Sequence, residues 1–130
     1  MKSSRAKDTL RRDAYRLGRR AEGLALWWLR LKGYRVLARG VTVGRGSGAG
    51  EVDMVVRRGR VVAFVEVKAR PTLEAALDAL SRSQRRRIET GAAAFMARQP
   101  ALAACDLRFD LMLVVPGHWP RHLPDAWRPE

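Results

Sequence analysis

Four charged residues interrupt the valine-rich stretch "EVDMVVRRGRVVAFVEVKAR" (51–70): Glu51, Asp53, Glu66 and Lys68. Two apolar runs flank "RRGR", so the stretch reads as a β-hairpin with Arg58-Gly59 as its two-residue turn. With Arg57 opposite Arg60, Glu51 faces Glu66, and Asp53 faces Phe64 and lies diagonal to Glu66. Side chains alternate between sheet faces with period two, so all four charged groups project from one face. Opposed carboxylates destabilise a sheet, and burial either adds to that cost or forces a proton onto one of them. A divalent cation removes the conflict. Carboxylate oxygens are hard ligands suited to Mg²⁺ (or Mn²⁺), which keeps several waters and binds one or two carboxylates together with substrate phosphate. Lys68 beside such an ion can orient water or stabilise charge developing on a phosphate. The same residues also fit ordinary ion pairs on the solvent face of an edge hairpin, nearly neutral in energy.

Elements that could position these groups are legible along the chain. Residues 8–32 carry Leu10, Ala14, Leu17, Ala21, Ala25, Trp28 and Leu29 at helical spacing, and Gly33 ends the pattern. "YRVLAR" (34–39) alternates as a strand, and "GVTVGRGSGAG" (40–50) reads as a loop. Strands follow at about 51–57 and 60–68. Pro71 and Thr72 open a helical region in which "SRSQ" (81–84) has the form of a capping box. Ile88, Ala92, Phe95 and Met96 form that helix's apolar face. "LRFDLMLVV" (107–115) is a further strand. The four-proline tail "PGHWPRHLPDAWRPE" reads as extended or disordered. The order αβββαβ implies one α/β domain over residues 1–115, a mixed sheet flanked by helices, with residues 1–7 disordered and 116–130 a Pro-rich tail.

Charge narrows the partners. Twenty-six Lys and Arg face thirteen Asp and Glu, a formal net charge of +13 on 130 residues. A polyanion is the expected partner, nucleic acid before an anionic membrane, since the basic helices lack a lipid-facing stripe. No apolar run reaches the roughly 18 residues of a membrane span. The basic N-terminus lacks the apolar stretch of a secretory signal, and Cys105, the only cysteine, fits a reducing cytoplasm.

Arg85, Arg86 and Arg87 follow Gln84 and fit phosphate contacts as well as a solvated helix face. Arg45, in the glycine-rich loop, is a weaker candidate for the same role; "GRGSGAG" lacks the spacing and terminal Lys-Ser/Thr of a P-loop. Trp27 and Trp28 read as core before base-stacking platforms. His118 and His122 are separated by Pro120, which argues against a helical metal pair. Asp110 reads as a residue that orders the last strand.

The blocks "GRRAEGLALWWLRLKGYRVLARG", "GEVDMVV", "VAFVEVKAR" and "RFDLMLVV" closely resemble the bacterial YraN-like uncharacterised family, from about Gly18 to Val115. That family is similar to compact PD-(D/E)XK nucleases, the superfamily of restriction endonucleases and Holliday-junction resolvases, whose core is also αβββαβ. The resemblance implies a Mg²⁺-dependent endonuclease acting on DNA, branched structures included, or a nucleic-acid-binding protein that keeps the nuclease fold without catalysis. It implies metal ligands at Asp53, Glu66, Glu22 and the carbonyl of Val67, and a catalytic role for Lys68. Glu51 becomes a ligand, a supporting group or an aid to the turn. Gln84 stands where the family more often has lysine, leaving a site role and a capping role open. Gly40 stands where the family tends to have Asn. Similar resolvases work as dimers, so a homodimer is implied too.

Overall fold

Glycine ends the first helix. The computed structural model describes residues 19–42 and 51–129, the side chains of Thr42 and Glu51 excepted. Expectations for residues 1–7, for Arg45 and for the rest of the glycine-rich loop lie outside the described residues. Helix α1 occupies residues 19–31, and Gly33 beyond it has φ 89°. Gly33 N–H donates to the Arg30 carbonyl and Tyr34 N–H to the Leu29 carbonyl, each at 3.0 Å. These are the paired bonds of a Schellman cap, which returns Tyr34 onto Leu29 in the core.

Five strands follow: β1 Arg35–Thr42, β2 Glu51–Arg58, β3 Val61–Ala69, β4 Asp106–Val114 and β5 Arg121–Trp127. They form one sheet in the order β1-β2-β3-β4-β5. Only β3 and β4 run parallel. A parallel pair needs a crossover rather than a tight turn, and this one carries α2 (Leu73–Asp78), α3 (Arg82–Ala97) and a 3₁₀ turn at Pro100–Leu102. Thr72 caps α2 and Ser81 caps α3, accepting the N–H groups of Ala75 and Gln84 at 3.1 Å each. The "SRSQ" signal therefore marks a real helix start.

Helices cover both faces of the sheet. On one, Ala21, Ala25 and Leu29 of α1 pack with Met54, Val56, Ala63, Val65, Met112 and Val114. On the other, Ile88 and Ala92 of α3 pack with Val55, Val62, Phe64 and Phe109, and Ala76 of α2 with Leu111 and Leu113. Strand β3 is central, and Val62 through Glu66 are all buried, as a strand covered on both faces requires. This is the expected α/β architecture. Trp28 packs against the core, but Trp27 is half exposed and does not. No helix among the described residues is long and apolar enough to cross a membrane.

Two expectations need correction. The hairpin pairs Arg58 with Val61 and Met54 with Val65, so its loop is Gly59-Arg60, not Arg58-Gly59. Gly59 has φ 60° while Arg60 stays at negative φ, which fits a type II′ turn with glycine at its first central position. The register moves by two residues. That even shift keeps each side chain on its face, and carrying it one step past Met54–Val65 sets Asp53, not Glu51, opposite Glu66. The second correction concerns the tail, whose residues 121–127 form β5. Pro124 is tolerated because β5 is an edge strand, where a missing N–H breaks no ladder.

Asp110 holds β5 in place. Fully buried on β4, it accepts two bonds from Arg108 (2.8 Å each), one from His122 Nε2 (2.7 Å) and one from the Asp125 N–H (3.0 Å). Asp125 has φ 54°, at the bulge where β4 and β5 change register; aspartate is one of the few residues that take this conformation readily. Arg108 also donates to the Tyr34 hydroxyl at 2.6 Å, tying the α1 cap to the far side of the sheet. Lys32 Nζ lies 2.6 Å from His122 Nδ1. An ammonium can only donate, so Nδ1 accepts and Nε2 carries the proton given to Asp110. Burial alone would raise the Asp110 pKa. The His122, Arg108 and Asp125 hydrogen bonds outweigh it and hold the group below the ordinary aspartate value. Removing the carboxylate leaves Arg108 and His122 uncompensated, so Asp110→Ala should lower the unfolding free energy by about 3 kcal/mol. Asp106→Ala, exposed on the same strand, should stay within about 0.5 kcal/mol of wild type. Urea unfolding of the two variants checks this, and equal midpoints would count against the network.

Candidate active site

Strands β2 and β3 part company beyond Met54–Val65, the last residues they pair, while β1 follows β2 out to Glu51. At the point of divergence Asp53 Oδ2 accepts the Val67 N–H at 2.7 Å. A side chain thus takes the bond that a strand carbonyl would otherwise accept, and the Asp53 carboxylate is fixed in the gap. Gly40 stands across from Asp53 in the β1 register but is skipped by the ladder, with φ 58°. This is the left-handed region that glycine adopts most easily. Ala38 with Val55, and Val41 with Val52, pack into the same core cluster although each pair lies three residues from the other. Period-two counting therefore cannot be carried through Asp53 to Glu51, whose side chain lies outside the described residues.

On β3, Glu66 and Lys68 point to the α3 face, two and four residues beyond Phe64. Both are buried, at 6% and 7% exposure. Lys68 Nζ lies 3.4 Å from Glu66 Oε1, and Glu66 Oε2 is buried with no hydrogen-bond partner. Burial, and next the negative charge of Asp53, push the Glu66 carboxyl from 4.5 up to about 8, against the opposing pull of Lys68. Near neutral pH the acid therefore keeps a proton, which the neighbouring Asp53 carboxylate helps it to retain.

The structure thus gathers Asp53, Glu66 and Lys68. Val67 contributes its N–H to Asp53, and no metal-directed role of its carbonyl follows from this contact. Glu22 is half-buried on α1, which packs on the opposite face. Among the described residues, no three His, Cys, Asp or Glu side chains are grouped so as to hold a metal. Two carboxylates still fit Mg²⁺ or Mn²⁺, since such ions complete their shell with water and substrate phosphate, and the orphaned Glu66 oxygen supplies a free donor atom. Gln84 is half-buried in the first turn of α3, one turn before Ile88, and its backbone N–H fills the Ser81 cap. Arg86 and Arg87 are exposed on α3, and Arg85 is half-buried.

A mostly apolar cavity of about 550 Å³ lies elsewhere, beside Pro71, Leu113, His118 and Trp119. His118 lines that cavity while His122 is bound to Asp110, so the two histidines do not converge. Sequence reading missed the His122–Asp110–Arg108 network and Trp127; the available signal was alternation in "RHLPDAW", hidden by its proline.

Comparison with known proteins places the chain. The model of the uncharacterised protein family UPF0102 matches residues 21–114, and the chain belongs to that family. It is 64% identical over 115 residues to a UPF0102 protein of Paramagnetospirillum magneticum, covering 88% of this chain and 89% of the relative. A UPF0102 protein of Parvibaculum lavamentivorans is 59% identical over 116 residues (89% and 84%). One of Methylorubrum extorquens is 50% identical over 120 residues (92% and 91%).

The Glu66 proton gives a pH signature. The folded chain keeps a proton that the unfolded chain releases above pH 4.5, so metal-free stability should fall as pH rises from about 4.5 to about 8. A tenfold change in proton affinity corresponds to about 1.4 kcal/mol, so a loss of a few kcal/mol is expected. Glu66→Gln should flatten that slope. Urea unfolding in EDTA at several pH values reads it, and identical slopes would contradict the assignment.

Proposed function

We propose that this UPF0102 protein is a divalent-metal-dependent endonuclease that hydrolyses DNA phosphodiesters, branched structures included. One observation carries the reading: a buried Glu66 with an unpartnered oxygen, set beside Asp53 and the Lys68 amine, its pKa raised by that burial. As a purely structural arrangement it is costly, because a buried carboxyl oxygen without a hydrogen-bond partner sacrifices stability. As a site awaiting a cation and a phosphate it is prepared. The resemblance to PD-(D/E)XK nucleases gives the same three residues their roles.

Asp53 and Glu66 would hold a Mg²⁺ or Mn²⁺ ion, which when bound supplies Lewis-acid polarisation and a water of lowered pKa. Asp53 needs little reorganisation, because the Val67 N–H already fixes one of its oxygens. Glu66 must release its proton before it can act as a ligand. Lys68, 3.4 Å from Glu66, would donate toward the attacking water or a phosphate oxygen. Burial of Glu66 and Lys68 would limit competing water. The exposed arginines of α3 would meet neighbouring phosphates, which position the substrate without reading its sequence.

A second reading, a nucleic-acid-binding protein that retains this fold without catalysis, draws on the net charge of +13, which is independent of the site. The two part on one panel of branched, single-stranded and duplex DNA with Mg²⁺ or Mn²⁺. Wild type should cut at least one substrate in an EDTA-reversible way, and Asp53→Asn and Lys68→Ala should each lower the rate by about 10²-fold or more. Equal residual cutting by all three proteins would remove the catalytic assignment. Steeply salt-dependent binding without cleavage would then favour the second reading.

A further inference from the structure

A separate groove lies between α3 and the end of β5. It is a polar cavity of about 220 Å³ lined by Arg82, Arg85, Arg86, Glu89, Trp127 and Arg128. The arginines and Glu89 share one strip of α3, since positions 82, 85, 86 and 89 recur at three- and four-residue spacing. Trp127 closes the floor. Its ring stacks on Phe109 at 5.2 Å between centroids, and the residue is only 8% exposed.

Two donors here are left without acceptors. The indole Nε1 of Trp127 and the guanidinium Nε of Arg85 are both buried and lack any hydrogen-bond partner. Buried N–H groups are rarely orphaned, because each forfeits its hydration without a replacement bond. A water could accept from either donor, but it would bring no negative charge to the Arg85 and Arg86 guanidiniums that line the same groove. Four guanidiniums line the groove against one carboxylate, Glu89; Arg128 is also bound to Asp125 at 2.8 Å. An acceptor with several oxygens and negative charge satisfies both demands, and guanidinium geometry suits phosphate in particular.

We infer that the groove formed by Arg85, its neighbouring arginines and the Trp127 indole is a phosphate-binding site that takes a backbone phosphate of nucleic acid. This rests on the proposed function for the nature of the ligand, not for the existence of the site. Trp127 lies two strands across the sheet from β3, at the level of Phe64 through Phe109. Strand spacing and rise put it on the order of 12 Å from Glu66. A few nucleotide steps of about 3.4 Å span that separation. A strand gripped here would have a nearby phosphodiester within reach of the candidate active site.

The test follows the four indole N–H signals of the full-length chain by ¹⁵N NMR in EDTA, first with inorganic phosphate and then with a short oligothymidylate. The Trp127 signal, assigned by its loss in Trp127→Phe, should shift with phosphate and again with the oligonucleotide, while those of Trp27, Trp28 and Trp119 move little. Arg85→Gln should weaken the phosphate response about tenfold or more. No selective Trp127 shift, or an unchanged response in Arg85→Gln, overturns the inference. A shift with phosphate that the oligonucleotide neither reproduces nor competes with overturns its nucleic-acid part. Because no metal is present, a selective shift in a protein that never cuts DNA defeats the proposed nuclease activity and leaves this site standing.

Discussion

A carboxyl group on the central strand of a five-stranded sheet has few ways to exist. Glu66 is buried on a strand flanked by neighbouring strands on both sides, and the Asp53 charge acts on it. One ammonium, that of Lys68, cannot neutralise two carboxylates. The chain resolves the excess with a proton, and the same proton is what a divalent cation would displace. The rest of the fold serves this arrangement. The β2–β3 ladder ends one residue before the carboxylates would be forced into regular opposition, and the Val67 N–H secures Asp53 in the opening.

The supporting frame is stiff where the site needs it. Asp110, Arg108, His122 and Tyr34 link the end of α1, β4 and β5 through fully paired charges. That network lies on the β4–β5 side of the sheet. The two buried acids stand in contrast. Asp110 has three donor residues around it and sits below its ordinary pKa, whereas Glu66 has one oxygen without any donor and sits well above. Under the proposed function the satisfied and unsatisfied carboxylates separate by role, Asp110 holding strands together and Glu66 remaining available for a ligand.

Much of this was legible in the chain because local signals agree with the tertiary structure. Gly33 ends α1, Ser81 caps α3, and the even spacing of Glu66 and Lys68 puts them together whatever the register. The details that failed did so for local reasons. Gly59 takes the first rather than the second place in the turn, which moved the register by two. Gly40 breaks the alternation of the edge pair, so the placement of Glu51 could not be counted out from Asp53. Pro120 and Pro124 masked β5, since a proline argues against a central strand but not against an edge. With β5 hidden, neither the partners of Asp110 nor the groove under Trp127 could be found.

Under the proposed function, a metal ion would enter this site as Glu66 gives up its proton. Isothermal calorimetry of Mn²⁺ binding near pH 7, repeated in buffers of different ionisation enthalpy, counts that proton directly. Wild type should bind Mn²⁺ and release close to one proton per ion, and Glu66→Gln should lose the release along with most of the affinity. Binding with no proton release, or no difference between the two proteins, would contradict it.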